Sequence, residues 1–261
     1  MKFGKISQDI EDIKRLEQIL NVLFKHEMGY VIEKLNLKHL LSIHKRMQSK
    51  KFEEKETQPE RIRKILEELG GTFIKLGQLL SIRADLIPKE YCDEFKKLQD
   101  EVNFFPGKDA KNIVSLELNK DVNKLFSFFN EKPVAAASIA QVHQAVLRDG
   151  RKVAIKVQRP GIKKLIETDM DILYNLAHLI KNRINPEMID PVDIIEEFEK
   201  YTENELNFMT EARNINRFYK NFEYDKTTKI PEVFFEYTTE KVLTMSFITG
   251  TKLSELKTTK K

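Results

Sequence analysis

The apolar positions of this chain fall first at helical and then at strand spacing. Ile6, Ile10, Ile13, Leu20 and Phe24 share one face of a predicted helix. Met28-Gly29-Tyr30 predicts a break. Ile32, Leu35, Leu40, Leu41 and Ile43 then predict a second helix. Residues 44–60 are charged and poorly patterned, and predict a loop or a solvated helix end. Pro59 sits where a first-turn proline would, ahead of a short stripe of Ile62, Ile65, Leu66 and Leu69. Gly70-Gly71 interrupts the chain, and Thr72 is placed to cap a new helix. Phe73, Leu76 and Leu80 share a face of that helix, which is expected to end near Asp85. Pro88 opens another, with Tyr91, Phe95 and Leu98 inward.

After Pro133 the period shortens. Residues 140–147 and 151–158 are two β-type runs joined by Asp149-Gly150, a strong hairpin signal. In the second run Val153, Ile155 and Val157 share one face, and Lys152, Ala154, Lys156 and Gln158 the other. Pro160-Gly161 ends the hairpin. A long helix follows, with Ile162, Leu165, Ile166, Ile172, Leu173, Leu176, Leu179 and Ile180 in its stripe and only Asp169 interrupting it. Asn185-Pro186 ends that helix, and Asp190-Pro191 opens one running, with a kink, to about Phe222. Residues 231–237 and 241–248 are two further strand-like runs. The pattern predicts an α+β fold, helical at first and then an antiparallel sheet accompanied by long helices.

Composition narrows the options. The 261 residues are 41% hydrophobic and 33% charged, enough for a real core. Lys plus Arg is 45 and Asp plus Glu is 41, a net charge of +4 from interleaved populations, so a nucleic-acid surface is not implied. The N-terminus has no apolar stretch of signal-peptide type, and no apolar run is long enough to span a bilayer. Peripheral contact through an amphipathic helix stays open. Cys92 is alone, which excludes an internal disulfide and a cysteine zinc site and fits a reduced, cytoplasmic setting. Its acidic neighbours disfavour a thiolate. His26, His39, His44, His143 and His178 show no metal spacing, and His143 reads as structural.

Three clusters can carry chemistry. Val153-Ala154-Ile155-Lys156 places one lysine on a strand, the arrangement with which a kinase-type small lobe presents an ammonium to the α- and β-phosphates of ATP. Such a lysine needs a glutamate from a later helix. At about 100° per residue, Glu205 and Glu211 each fall about 60° from the centre of the Phe208, Ala212, Ile215, Tyr219 and Phe222 stripe, on opposite sides. Ala135-Ala136-Ala137-Ser138 stands where a glycine-rich loop would precede the first hairpin strand. Alanine allows close backbone approach but disfavours positive φ. Finally, Lys75 and Gln78 lie on one flank of their helix. Gly77 between them costs about 1 kcal/mol against alanine, so a packing or functional reason is expected, such as the approach of another backbone.

Together these segments resemble the UbiB (AarF) family of atypical protein-kinase-like proteins. The matching residues are Leu69-Gly70-Gly71-Thr72-Phe73-Ile74-Lys75-Leu76-Gly77-Gln78, with the family's K-x-G-Q, and Ala135-Ala136-Ala137-Ser138-Ile139-Ala140-Gln141-Val142-His143. Val153-Ala154-Ile155-Lys156-Val157-Gln158-Arg159-Pro160-Gly161 and Glu205-Leu206-Asn207-Phe208-Met209-Thr210-Glu211-Ala212 follow in family order. The resemblance implies a helical extension over residues 1–109, a kinase-like small lobe over 110–250, and the start of a large lobe over 251–261. It implies that Lys156 contacts nucleotide phosphates with Glu211 as its partner, and that Glu205 belongs to an E-x-D motif. Ala135, Ala136, Ala137, Ser138, Val142 and Ala154 would line the nucleotide. Lys75 and Gln78 would reach into the cleft and block a protein substrate. ATP or ADP and Mg²⁺ are the implied ligands, isoprenoid quinone (ubiquinone) biosynthesis the implied context, and the cytoplasm or the inner-membrane surface the implied location.

Two departures stand out. The E-x-D motif reads Glu205-Leu206-Asn207, which keeps an oxygen but loses a charge and should weaken any Mg²⁺ contact there. The catalytic-loop Asp, metal-binding Asn and D-F-G-type Asp of a large lobe are absent from the 261 residues. The expectation is a truncated product or one half of a split protein whose large lobe is on another chain, binding nucleotide weakly and inactive alone. The alternative is a helical interaction module without nucleotide, in which Lys156 and Glu211 are merely solvated.

Overall fold

The structure, a computed structural model, describes residues 10–37, 56–98, 104–184 and 190–251. The expectations for Ile6, His39, Leu40, Leu41, Ile43, His44, Asn185-Pro186 and the tail beyond 251 lie outside the described residues.

Helix α1 (Ile10–Lys25) turns Ile19, Leu20 and Val22 inward, and α2 (Gly29–Lys34) sets Ile32 against Leu20. Helix α3 (Gln58–Leu69) opens with a capping box: Glu60 N–H donates to Thr57 Oγ1, and Thr57 N–H donates back to the Glu60 carboxylate. Pro59 lies in its first turn. Helix α4 (Gly71–Ser81) is capped differently from the sequence expectation. Gly70, at φ 87°, is its N-cap, and Ile74 N–H closes the first turn on the Gly70 carbonyl. Thr72 therefore lies inside the helix and is buried. The helix stops at Ser81 rather than near Asp85, where Arg83 folds onto the Asp85 carboxylate in a turn. Helix α5 (Lys89–Phe95) follows Pro88 and buries Cys92 and Phe95.

The segment before Pro133, left unassigned by the hydrophobic pattern, folds into α6 (Gly107–Glu117), a single turn α7 (Val122–Leu125) and strand β1 (Phe126–Phe129). Next come β2 (Ala135–Ala136), β3 (Ala140–Leu147) and β4 (Lys152–Gln158). Helices α8 (Ile162–Ile184), α9 (Pro191–Leu206) and α10 (Phe208–Asn221) follow, and β5 (Val242–Ser246) closes the described chain. Every pairing is antiparallel: β4 lies between β3 and β5, while β1 and β2 share the other edge of β3. The β3–β4 turn uses Gly150 at φ 91°, whose N–H donates to the Leu147 carbonyl.

Two compact units divide the described chain. One holds α1–α5, residues 137–139 and 161–203. Its long helix α8 buries Ile166, Met170, Leu173 and Ala177, while Leu165, placed in the apolar stripe by its spacing, is largely exposed. The other unit holds residues 104–136, 140–160 and 204–251, with all five strands. Its core joins Val153, Ile155 and Val157 of β4 to Ala110 and Val114 of α6, Phe126 of β1 and Val242 of β5.

Two further expectations change. Residues 231–237 make one isolated bridge, Val233 to Met245, and then a 3₁₀ turn over Phe235–Tyr237. Thr244 Oγ1 donates to the Tyr237 carbonyl and holds that turn beside β5. The helix expected from Asp190 to Phe222 is two helices broken at Asn207, whose backbone is extended at φ −108° and ψ 94°. The helix-then-antiparallel-sheet architecture is α+β, in line with the sequence pattern.

Candidate functional site

The β4 strand presents its polar face as the alternation dictates, and the register aligns its neighbours. Ala135 pairs with Val142, Val142 with Lys156, and Lys156 with Leu243, so these four form one row across the sheet. Residues directly opposite in antiparallel strands point to the same side, so Ala135, Val142 and Lys156 share a face, joined by Ala154 two residues along β4. The Ala135–Ser138 segment is more ordered than a loop: Ala135 and Ala136 are strand, paired to β3, and the turn begins at Ala137. Ala135 is exposed and Ser138 is buried.

Lys156 Nζ donates to Glu211 Oε2 at 2.7 Å and lies 4.8 Å from the centroid of the Phe208 ring. Phe208 is fully buried in the first turn of α10 and Glu211 stands one turn further on. A cation over an aromatic face gains about 0.5–1 kcal/mol, and an ion pair this exposed (21% and 37%) contributes about 0–1 kcal/mol. The arrangement therefore aims an ammonium more than it stabilises the fold.

The break at Asn207 separates the other candidates. Glu205 is the penultimate residue of α9 and half-buried, so it does not share a continuous helix with Glu211. Asn207 is the N-cap of α10, with Oδ1 accepting the Met209 N–H at 3.0 Å. Lys75 and Gln78 belong to α4 in the other unit. Lys75 is buried, and Gln78 Nε2 donates to the Leu98 carbonyl at 3.4 Å. The reason for Gly77 is also there, and it is side chain rather than backbone. A Cβ at that position would stand 2.3 Å from Leu98 Cδ1 and 2.8 Å from Leu66 Cδ1.

A buried polar network on the opposite face of the sheet escaped the sequence reading. Gln141 binds both main-chain groups of Phe105, accepting its N–H at 3.0 Å and donating to its carbonyl at 3.1 Å. The same amide meets His143 Nε2 at 2.9 Å, and His143 Nδ1 donates to the Asn130 carbonyl at 2.8 Å. Burial holds the His143 pKa below its ordinary value. Cys92 is buried, its thiol directed at the Leu80 and Ile87 carbonyls.

Among the described residues no group of three or more His, Cys, Asp or Glu could hold a metal, and no helix is long and apolar enough to cross a membrane.

Comparison with known proteins gives a consistent picture. The profile of the ABC1 atypical kinase-like domain matches residues 97–261. An uncharacterized protein in the hydrogenase 1 5′ region of Clostridium pasteurianum is 37% identical over 248 residues, covering 94% of this chain and 43% of that protein. A probable protein kinase UbiB of Photobacterium profundum is 41% identical over 200 residues, covering 76% of this chain and 36% of its own length. The chloroplastic protein Activity of bc1 complex kinase 7 of Arabidopsis thaliana is 40% identical over 195 residues, covering 75% of this chain and 28% of its own. Among solved structures, Rv3197 of Mycobacterium tuberculosis, in complex with erythromycin, aligns with a TM-score of 0.53 and 31% identity over 73% of this chain and 48% of that one. The chain thus spans less than half the length of each of these relatives. With most of its length matched by the family profile, and with the lysine strand, the alanine-rich segment and the K-x-G-Q helix in family order, the chain belongs to the ABC1 (UbiB) family of atypical kinase-like proteins.

Proposed function

We propose that this chain binds the phosphates of ATP or ADP on the polar face of β4 and serves isoprenoid quinone (ubiquinone) biosynthesis. The single observation that carries the nucleotide reading is the Lys156–Glu211 pair on the face shared with Ala135, Val142 and Ala154. In kinase-type phosphoryl transfer a strand lysine paired to a helix glutamate meets the α- and β-phosphates. These residues fit a nucleotide: Lys156 offers the ammonium, Glu211 orients it, and the alanines of β2 let the phosphates approach the backbone. Lys75 and Gln78 of the K-x-G-Q segment exclude a protein substrate, and Glu205 completes the acidic motif.

The described residues do not fit Mg²⁺. No acidic group of three is present, and the Asn207 oxygen is engaged as a helix cap. Family membership supports the quinone connection and, with it, a place at the membrane surface through peripheral contact.

Thermal unfolding with ADP and ATP tests the nucleotide reading. A ligand at about 100 times its Kd adds about 2.7 kcal/mol to the stability of the folded state. The expected result is a rise in Tm that Lys156→Ala removes. A nucleotide shift of equal size in Lys156→Ala, or none in the unmodified chain at millimolar ligand, would sink the proposal and leave a helical interaction module.

A further inference from the structure

We infer that Gln158 is a positioning residue: it locks the first turn of α10 to the lysine strand, so that the Lys156–Glu211 pair is part of the fold rather than made and broken by movement of the helix. Its functional meaning rests on the nucleotide reading above, whereas its geometry does not.

Gln158 is two residues beyond Lys156 on β4, and so on the same face. While Lys156 reaches Glu211, Gln158 reaches the break that precedes α10. Its Nε2 donates at 2.9 Å to the carbonyl of Leu206, the last residue of α9. A helix end leaves such carbonyls without intrahelical donors, and a helix start leaves N–H groups without acceptors. Every side of this break is answered. Leu206 C=O takes Gln158, Phe208 N–H donates to the Glu240 carbonyl at 2.9 Å, and Met209 N–H donates to Asn207 Oδ1. The Gln158 main-chain N–H in turn donates to the Lys241 carbonyl at 2.9 Å, joining the two anchors to each other. Gln158 and Phe208 are buried, so releasing the helix would leave buried polar groups without partners, which is costly. Phe208 lies beneath the Lys156 ammonium, and Glu211 is three residues along a helix whose height and rotation are thus set at its first residue.

This differs from the common kinase-type device in which repositioning of the partner helix controls the ion pair. Here the partner helix is held at the end nearest the lysine, by a neutral amide on the residue two before it and by the Glu240 carbonyl on its first N–H, neither of which any pH change titrates.

The test is the reactivity of the Lys156 amine toward a water-soluble acylating reagent. It is read by mass spectrometry on the full chain without nucleotide, alongside amide hydrogen exchange over residues 208–212. Gln158→Met keeps the length and removes the donor. It should speed Lys156 labelling about fivefold, the weight of one net hydrogen bond, and speed exchange in the first turn of α10. Glu211→Gln should also speed labelling, and the double variant should label no faster than Glu211→Gln alone, because Gln158 acts through Glu211. A purely structural contribution would instead add to it. Gln158→Asn keeps the amide but withdraws it by one methylene, and should reproduce the effect where Gln158→Met folds poorly. Unchanged labelling and exchange in both Gln158 variants, or additivity in the double variant, would overturn the inference. If ADP shifts the Tm of the unmodified chain while labelling is indifferent to Gln158, the positioning role falls and the nucleotide reading stands. If labelling responds as described and no nucleotide binds, the positioning role stands and the nucleotide reading falls.

Discussion

His143 makes the buried network of the sheet sensitive to protons. Its Nδ1 carries the hydrogen that the Asn130 carbonyl accepts, which leaves Nε2 to accept from the Gln141 amide. A second proton would set donor against donor in a site cut off from water. Burial therefore lowers the pKa, although the Asn130 carbonyl and the nearby Glu131 carboxylate act in the opposite direction. In the unfolded chain the imidazole titrates at about 6.5. Below that pH the unfolded state takes up a proton that the native state refuses. Stability is thus flat above about pH 6.5 and falls as pH drops toward the lower native value. Urea midpoints at about pH 7.5 and 5.5 check this: the unmodified chain should lose more than His143→Gln, and equal losses would refute it. Gly77 is a second case where one residue decides. Gly77→Ala gains about 1 kcal/mol of helix propensity but drives a methyl into Leu98 and Leu66, an overpacking cost of about 1–3 kcal/mol. The expected net result is destabilisation by about 1 kcal/mol in urea unfolding. In the background of Leu98→Ala the same substitution should cost less, because the nearer of the two colliding methyls is gone. That an interior glycine needed a reason was legible from helix propensity alone. That the reason is two leucine methyls, one brought in from beyond α5, depends on packing that no local pattern encodes.

Asp169 shows what an element-scale irregularity means. It is the one polar residue in the α8 stripe, and it is fully buried, taking Arg15 Nε at 2.6 Å and Nη2 at 3.0 Å. Arg15 also donates to the Leu69 carbonyl at the end of α3 and lies over the Phe73 ring. One guanidinium therefore ties α1, α3, α4 and α8 together. Removing one partner of a buried pair leaves an uncompensated charge, so Asp169→Ala should cost about 3–5 kcal/mol in urea unfolding. Arg15→Met combined with Asp169→Leu should recover most of that loss, and a double variant as weak as the single one would refute the assignment. The stripe itself was readable because α8 keeps a helical period over its whole length, and Asp169 was visible as its interruption, though not its partner on α1. The opposite failure occurred at Asn207. Apolar residues continue at helical spacing across it, so the period concealed a break that capping chemistry makes: Asn is as good an N-cap as Asp. For the same reason the Asn at this place in the E-x-D motif keeps the start of α10. Asn207→Ala should cost about 1 kcal/mol and loosen exchange in the first turn of α10, whereas Asn207→Asp should be close to neutral.

At the scale of the whole chain, the hairpin with its lysine, the helical first part and the family were legible because each rests on short-range patterns or on motifs in order. The sheet order, the short α6–β1 segment and the grouping of residues 161–203 with the first helices were not. Each is a matter of long-range pairing, and Ala110, Ile113 and Val114 of α6 are too few to announce a helix by periodicity. Turnover depends on which catalytic groups the 261 residues contain. On the nucleotide reading proposed above, the strand lysine and the helix glutamate orient phosphates. In kinase-type phosphoryl transfer the positioned base and the principal Mg²⁺ ligands are a catalytic-loop Asp, a metal-binding Asn and a D-F-G-type Asp, and these motifs are not found in the 261 residues. Lys156 can contribute electrostatic stabilisation to a developing charge, but with no group to orient the attacking water this acts mainly on binding, which lowers the ground state and the transition state alike. The chain as it stands should therefore be stabilised by ADP and ATP and release phosphate from Mg-ATP no faster than Lys156→Ala does. A phosphate-release assay on both proteins at equal concentration decides the matter. Robust hydrolysis abolished by Lys156→Ala would show that a catalytic base exists within these residues, and Glu205 would be the first to substitute.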